Sequence, residues 1–340
     1  MRASGPLRAT LLVLAVLIAA AALLVRSDRP GAGSPPPVAG SAPPARATPR
    51  PPPPYATGAA QVRVTMRFKR PPRSGLLFDL RTGRVLWSRS PARRQSMASL
   101  AKMMTALVVV DRSSPDDEVL ITPEAVATDG SKVGVLPLRR RVRLETLLHG
   151  LLLASGNDAA VALAQHVGGS VPGFVVEMNA QGRRLGLRCT RFSSPDGLQD
   201  HNNTSCVRDL AVVAREVLAR PRLAAIVSRE QSVLPGLVPH SIKRGRRRLT
   251  VWRPGRLWFA THNPLVRAGY RGTTGVKTGY TDAAGRCLVA TARRGRTALG
   301  VVLLHSPDPG GQAMRLLDRG FRSVARRARL TRSRGAATIH

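Results

Sequence analysis

Three regimes of hydrophobic and polar patterning divide the chain. From Ala9 to Val25 runs an apolar stretch with no charge and a single hydroxyl, preceded by Arg2 and Arg8 and ended by Arg26, Asp28 and Arg29. A basic flank before such a stretch predicts an export signal. It is long for the apolar part of a cleaved signal and a little short for a span of about 20 residues, so residues 1–29 are expected to be a signal peptide or an N-terminal membrane anchor. Residues 30–59 are dominated by Pro, Ala, Gly and Ser, with Pro51 to Pro54 in a row. They cannot build a core and predict a linker, either an extended semi-rigid spacer or a disordered tether.

Periodic patterning then begins. Leu76 to Leu80, a turn at Arg81-Thr82-Gly83, and Arg84 to Trp87 predict a hairpin. Ala98 to Val110 is an apolar helical run. Gly150 to Val167 reads as helix, a break at Ser155-Gly156-Asn157, and helix again, while Val171 to Leu185 and Cys206 to Leu218 carry apolar stripes at helical spacing. Ser228 to Ala260 mixes Arg, Pro and Gly with short apolar runs and is expected to be strand and loop. Thr274 to Tyr280, Arg286 to Ala292 and Thr297 to Leu304 are three strand-like runs, and Gln312 to Phe321 predicts a closing helix. Strands at both ends with helices between give the expected fold class, α/β of the α+β kind: an antiparallel sheet flanked by helices, with a mostly helical lobe inserted. The expected domain is 60–321, followed by a basic tail, 322–340.

Within this frame one spacing suggests chemistry. Ser99 and Lys102 are three apart at the start of an apolar helix, so the hydroxyl can meet the amine on one face. A serine becomes a nucleophile when a neighbour accepts its proton, and lysine can do so only if its pKa is held low. A lone Ser-x-x-Lys is a common chance spacing. Two later triplets change its weight: Ser155-Gly156-Asn157 in the helix break, and Lys277-Thr278-Gly279 in a strand-like run, in that chain order.

With these motifs the chain resembles the low-molecular-mass penicillin-binding proteins, the serine D-alanyl-D-alanine carboxypeptidases. The resemblance runs from about Gly75 to Phe321 and includes Met97-Ala98-Ser99-Leu100, Leu152 to Ala160, Ser194-Pro195-Asp196-Gly197-Leu198, His262-Asn263-Pro264-Leu265 and Gly275 to Asp282. It implies the β-lactamase and transpeptidase-like fold, with the cleft between the two lobes. It also implies acyl transfer on a peptidoglycan stem peptide ending in D-Ala-D-Ala, with β-lactam antibiotics as inhibitors. Ser99 would be the nucleophile, Lys102 its base, and Ser155 a proton relay. Asn157, Lys277, Thr278, Gly279 and Tyr280 would bind substrate, and Lys277 would help hold Lys102 unprotonated. The implied oxyanion hole is the backbone N–H of Ser99 and of Tyr280. This mechanism uses no metal and no other cofactor. His262 is expected to be structural, and Asp196 and Asp282 are expected to cap turns.

Two departures stand against the family pattern: Pro307 to Gly311 holds no arginine where relatives often place one for the substrate carboxylate, and Leu136 to Arg141 replaces a Pro-Gly turn. The alternatives are a D,D-endopeptidase, a β-lactamase or a non-catalytic envelope-binding protein. A class A β-lactamase needs a glutamate on a deacylating water, and Glu177, Glu216 and Glu230 stand in no such pattern.

Charge adds a partner. The chain carries 54 basic and 19 acidic residues, net +35, and only five of the basic ones are lysines. Guanidinium does not lose its proton in a protein, so a lysine surviving in such a chain suggests that arginine would not serve there. With 4% aromatic residues and no recognition-helix or zinc-finger pattern, nucleic acid is not expected, and an anionic envelope or membrane surface is. The expected location is outside the cytoplasm, anchored on the outer face of the membrane or secreted to the cell wall. In that compartment Cys189 and Cys206 can form a disulfide that leaves Cys287 free, although the unbridged state is equally open.

Overall fold

A computed structural model of the chain describes residues 64–336 except 135, 199–201 and 245. The segments expected to be signal or anchor and linker lie outside these residues. Among the described residues no single helix is long and apolar enough to cross a membrane.

The elements run β1 (Ser74–Asp79), β2 (Val85–Arg89), β3 (Gln95–Ser96), a 3₁₀ turn (Ala98–Ala101), α1 (Lys102–Arg112), β4 (Glu118–Leu120), α2 (Pro123–Ala127), β5 (Arg141–Arg143), α3 (Leu144–Leu152), α4 (Asn157–Gly168) and α5 (Val171–Arg184). There follow β6 (Thr204–Ser205), α6 (Val207–Ala219), α7 (Pro221–Val227), β7 (Gln231–Arg244), β8 (Arg247–Ala260), α8 (Pro264–Arg267), β9 (Thr273–Thr281), β10 (Gly285–Arg294), β11 (Thr297–Leu304) and α9 (Pro309–Ala336).

The main sheet is antiparallel with strand order β2-β1-β11-β10-β9. It joins the N-terminal hairpin to the C-terminal strands by pairing Leu77 with Val301, and Val301 in turn with Ala290. The central stretches of β1, β10 and β11 are apolar at nearly every position because both faces are covered. Leu77, Leu288, Ala290, Leu299, Val301 and Leu303 pack with Leu316, Leu317 and Phe321 of α9. The alternate residues Leu76, Phe78, Val289, Val302 and Leu304 join the larger core that continues through the helical lobe. Each fully buried Leu, Val or Phe contributes about 1.5–3 kcal/mol, so the period-two alternation fixes the register of the sheet against both layers. The edge strand β9 carries Lys277 to Tyr280 alongside the 3₁₀ turn that holds Ser99.

Three features differ from the sequence expectation. Within 228–260, β7 and β8 form one long two-stranded ribbon, paired from Gln231 opposite Ala260 to Arg244 opposite Arg247. Pro235, Pro239 and Pro254 lie inside it, which a ribbon tolerates because each strand keeps an unpaired edge where a missing N–H costs nothing. The last helix runs on from Phe321 to Ala336: its apolar stripe ends there, but arginine is a good helix former and the basic segment stays helical. The short pairs β3 with β6 and β4 with β5 are too brief to show a period.

Cys189 and Cys206 are bonded, with Cα atoms 5.6 Å apart, and Cys287 is free and buried. The bridge ties the loop after α5 to the start of α6, where Asp209 accepts from the backbone N–H of Cys189 at 2.7 Å and from the Thr190 hydroxyl at 2.7 Å. Thiol titration of the denatured, unreduced protein should therefore give one thiol, and three would overturn the pairing. Removing the bridge with Cys189→Ser and Cys206→Ser should lower stability by about 3 kcal/mol, measured by denaturant unfolding.

Candidate active site

Lys102 is the first residue of α1 and is fully buried, with 0% of its surface exposed. Its Nζ lies 2.8 Å from Ser99 Oγ, 2.6 Å from Asn157 Oδ1 and 2.8 Å from the backbone carbonyl oxygen of Asp196. The 3₁₀ geometry of Ala98–Ala101 eclipses residues three apart, which brings the serine directly over the lysine. The Asn157 amide is oriented by its own Nδ2, which donates to the Asp129 carbonyl at 2.6 Å, so Oδ1 faces the amine. Two of the three partners, the amide and backbone carbonyls, can only accept. A neutral amine has two N–H groups for them and a lone pair left over, and that lone pair meets Ser99.

The surroundings shift the amine toward this neutral form. Burial, the largest cause, holds the Lys102 pKa down to about 8, against the raising effect of Asp196 and Asp158. Asp158 is itself pushed above the usual carboxylate range by burial, although its oxygens accept from Val133 N and Ala159 N. Sequence reasoning assigned the depression of Lys102 to Lys277, whereas desolvation leads. Lys277 lies well below its ordinary value, first through burial and then through the charge of Lys102. Its Nζ donates to Ser155 Oγ at 2.9 Å and to the Thr278 carbonyl at 3.0 Å. Ser155 thus links Lys277 to the break that positions Asn157.

Each element is seated by specific contacts. On α1 the next turn repeats the pattern of Lys102, with Thr105 Oγ1 donating to the Pro195 carbonyl at 2.5 Å, so one helix face is pinned to the Ser194–Leu198 loop. Gly197 is in the left-handed region at φ +83, and a Cβ there would lie 2.0 Å from the Ala98 carbonyl oxygen. Glycine is required at this approach. Gly279 serves the same end from the other side: a Cβ would sit 3.1 Å from the backbone nitrogen of Ser99, so its absence lets β9 lie against the turn. Ala98 (φ +50) and Ser155 (φ +62) are held in the left-handed region without being glycine. Such positions cost about 1–3 kcal/mol each and persist where the surroundings over-determine them.

The structure therefore brings Ser99, Lys102, Ser155, Asn157, Lys277 and Gly279 together around one end of β9, with Thr278 partly buried beside them and Tyr280 exposed at the rim. The Tyr280 hydroxyl donates to Asp282 at 2.9 Å. His262 is exposed, with its pKa lowered by burial of part of the ring and by the charges of Lys277 and Arg267. Sequence reasoning missed the backbone carbonyls of Asp129 and Asp196 and gave Asp196 only a capping role. That role exists, since its Oδ1 accepts from Leu198 N at 3.0 Å and from Ser194 Oγ at 2.5 Å. The missed function belongs to the main chain, where residue type leaves little signal.

The profile of the family described as D-alanyl-D-alanine carboxypeptidase (peptidase S11) matches residues 72–308. The chain is 30% identical over 257 residues to the D-alanyl-D-alanine carboxypeptidase DacF of Bacillus subtilis, an alignment covering 73% of this chain and 62% of that protein. It is 33% identical over 236 residues to a D-alanyl-D-alanine endopeptidase of Pseudomonas aeruginosa, covering 68% and 71%. A mutant of the Streptomyces K15 DD-transpeptidase superposes with a TM-score of 0.66 at 28% identity, covering 75% of this chain and 99% of that one. The chain spans about three fifths of the length of DacF. By motif order, site geometry and these likenesses, the chain belongs to the D-alanyl-D-alanine carboxypeptidase family, peptidase S11.

Proposed function

We propose that the protein is a serine D,D-carboxypeptidase that removes the terminal D-alanine of peptidoglycan stem peptides outside the cytoplasm, through an acyl-enzyme on Ser99. The observation that carries this reading is the amine of Lys102, buried and 2.8 Å from Ser99 Oγ, with two other partners that can only accept. Ser99 Oγ attacks the carbonyl of the penultimate D-Ala while Lys102 Nζ takes its proton. The developing oxyanion lies between the amides of Ser99 and Tyr280, which the bare Cα of Gly279 allows to come close. The C–N bond then breaks, and the leaving amine receives the proton held on Lys102, relayed through Ser155, itself bonded to Lys277, so that Lys102 is again a neutral amine. Water, deprotonated by Lys102, hydrolyses the ester. Lys277 and Thr278 receive the substrate carboxylate: among the described residues no carboxylate is bonded to Lys277, so an incoming anion supplies the missing countercharge and restores the ammonium. This takes the place of the arginine absent from the start of α9.

Slow release of a β-lactam is supported by the glutamates. Glu177 pairs with Arg112 and Glu216 with Arg220, and neither bonds to Ser99, Lys102 or Asn157. The names of relatives leave two further activities on this fold, endopeptidase and transpeptidase. We place the protein in the envelope, either held by the N-terminal segment or secreted, with its basic surface toward anionic material.

Labelled penicillin should acylate the protein in a one-to-one ratio, with the adduct on Ser99 by mass spectrometry and none on Ser99→Ala. An adduct surviving that substitution would overturn the nucleophile. The same preparation should release D-alanine from a pentapeptide faster than it cleaves a cross-linked dimer; the reverse order would make it an endopeptidase, and rapid penicillin turnover a β-lactamase.

Lys102→Arg keeps the charge but cannot accept a proton, so acylation should slow by at least about a hundredfold while the fold survives. A rate within a few-fold of the parent would remove Lys102 as base. Because only the neutral amine of a group titrating near 8 is competent, acylation by the parent should rise with pH. The expected gain between pH 6 and 8 is about fiftyfold, followed by a plateau. A flat profile across this range would show that the proton leaves by another route.

A further inference from the structure

A second site, apart from the catalytic one, lies at the end of the main sheet. At that end Arg89 closes β2 opposite Gly75 of β1, Arg73 precedes β1 and donates its N–H to the His305 carbonyl at 3.1 Å, and Ser306 donates its N–H to the Arg286 carbonyl at 2.9 Å. Four neighbouring strand ends thus set Arg89, Arg73, His305 and Arg286 in a row. Lys69 and Arg70, from the strap that leads into β1, close the other side of a groove of about 830 Å³.

Composition does not account for this. Lysine and arginine make up about one residue in six of the chain, yet five of the eleven residues lining the groove, and no acidic residue lines it. Among the described residues none of these five cations is in an ion pair. Two guanidiniums are steadied by neutral carbonyls: Arg89 Nε donates to Pro72 O at 2.9 Å and Arg286 Nη1 to Pro307 O at 3.3 Å. Their charge and remaining N–H groups stay unspent. The strap is fixed in turn, since Gln312 Nε2 donates to the Arg70 carbonyl at 2.7 Å and Gln312 Oε1 accepts from Ser306 Oγ at 2.8 Å. Five like charges held around a concave surface repel one another, and an anion entering the groove relieves that repulsion while taking forked guanidinium contacts.

We infer that this groove binds a strand of a phosphodiester-linked envelope polymer, several phosphates at a time. Phosphate oxygens match the guanidinium fork, and a chain with repeated charge matches cations spread over three strand ends and the strap. A lipid surface fits less well: the lining is concave, and its apolar members are prolines without the aliphatic or aromatic anchors that enter a bilayer interface. The β9–β10 hairpin connects the two sites, because Arg286 pairs with Tyr280, three residues beyond Lys277. Binding here would hold the protein on the anionic polymer with the cleft at the adjoining strand. The inference does not depend on the catalytic reading.

The test measures binding of a synthetic poly(glycerol phosphate) oligomer to the full chain, to Arg73→Gln/Arg89→Gln/Arg286→Gln, and to Arg183→Gln/Arg188→Gln/Arg229→Gln, which removes the same charge from exposed sites elsewhere. The groove variant should lose affinity by about tenfold or more and the control by less than about threefold. Lys69→Gln/Arg70→Gln, confined to the exposed strap, should lose several-fold and serves if the triple variant melts early. Equal losses in the two triple variants would overturn the site in favour of diffuse attraction to a basic surface. Two further arms separate the sources. Inorganic phosphate binding as tightly as the oligomer would reduce the groove to a single-anion site, and phosphatidylglycerol vesicles lost by the groove variant with oligomer affinity unmoved would make it a lipid contact. Either result refutes the polymer.

Discussion

The site depends on the burial of one amine. Taking a lysine out of water disfavours its ammonium form, and several kcal/mol would be lost if the charge were kept without a partner. Here the Lys102 amine is surrounded by two carbonyl acceptors and a hydroxyl, with no carboxylate bonded to it. Such a shell gives hydrogen-bond partners to either form of the amine, but it offers an ammonium no bonded countercharge. The three acceptors come from the 3₁₀ turn, from α4 and from the Ser194–Leu198 loop, so one nitrogen also fixes how these elements meet. The packing that lowers the pKa by burial is also the packing that assembles the cleft.

This constraint explains the strain around it. To bring Ser99 over Lys102 the chain takes Ala98 into the left-handed region, and to turn from α3 into α4 it does the same at Ser155. Neither is glycine, although glycine would relieve both. At Ser155 the side chain is needed because its hydroxyl accepts from Lys277. At Ala98 the methyl is part of the packing that receives β9, lying 3.2 Å from where a Cβ on Gly279 would be. Stability lost at the two residues is offset by a core that continues across both faces of the sheet, and the gain is a cleft whose polar groups are fixed before substrate arrives.

The strand and helix plan was legible because both periods were strong: β10 and β11 bury alternate residues on two sides, and α1, α4, α5 and α6 carry clear apolar stripes. The ribbon β7–β8 was not, since its prolines and arginines obey edge-strand rules and only its base, at Ser232, Leu234, Leu257 and Phe259, packs on the core, leaving most of its length with no alternation imposed. In the site, side-chain identities were legible from three triplets in order. The causes of their behaviour were less so. Desolvation of Lys102 depends on the volume enclosed by residues distant in sequence, and the carbonyls of Asp129 and Asp196 act through a backbone that any residue shares. The basic groove was invisible for another reason: its cations come from three segments far apart in sequence, residues 69–73, Arg89 and Arg286, each of which alone reads as a solvated charge.

The scarcity of lysine proves to be a weaker guide than the places where lysine is buried. Of the five, Lys102 and Lys277 are 0% and 2% exposed, whereas Lys69, Lys132 and Lys243 lie at the surface, where arginine would serve as well. What distinguishes the buried pair is that burial lowers the pKa of each amine, a response a guanidinium could not give. The arginine-rich surface bears on this in a second way. Its charge is constant throughout the range in which Lys102 titrates, because guanidinium keeps its proton to beyond pH 12. With arginine the field is a fixed background, screened over about 8–10 Å in ordinary salt, and the pH response of the site is set by its own burial.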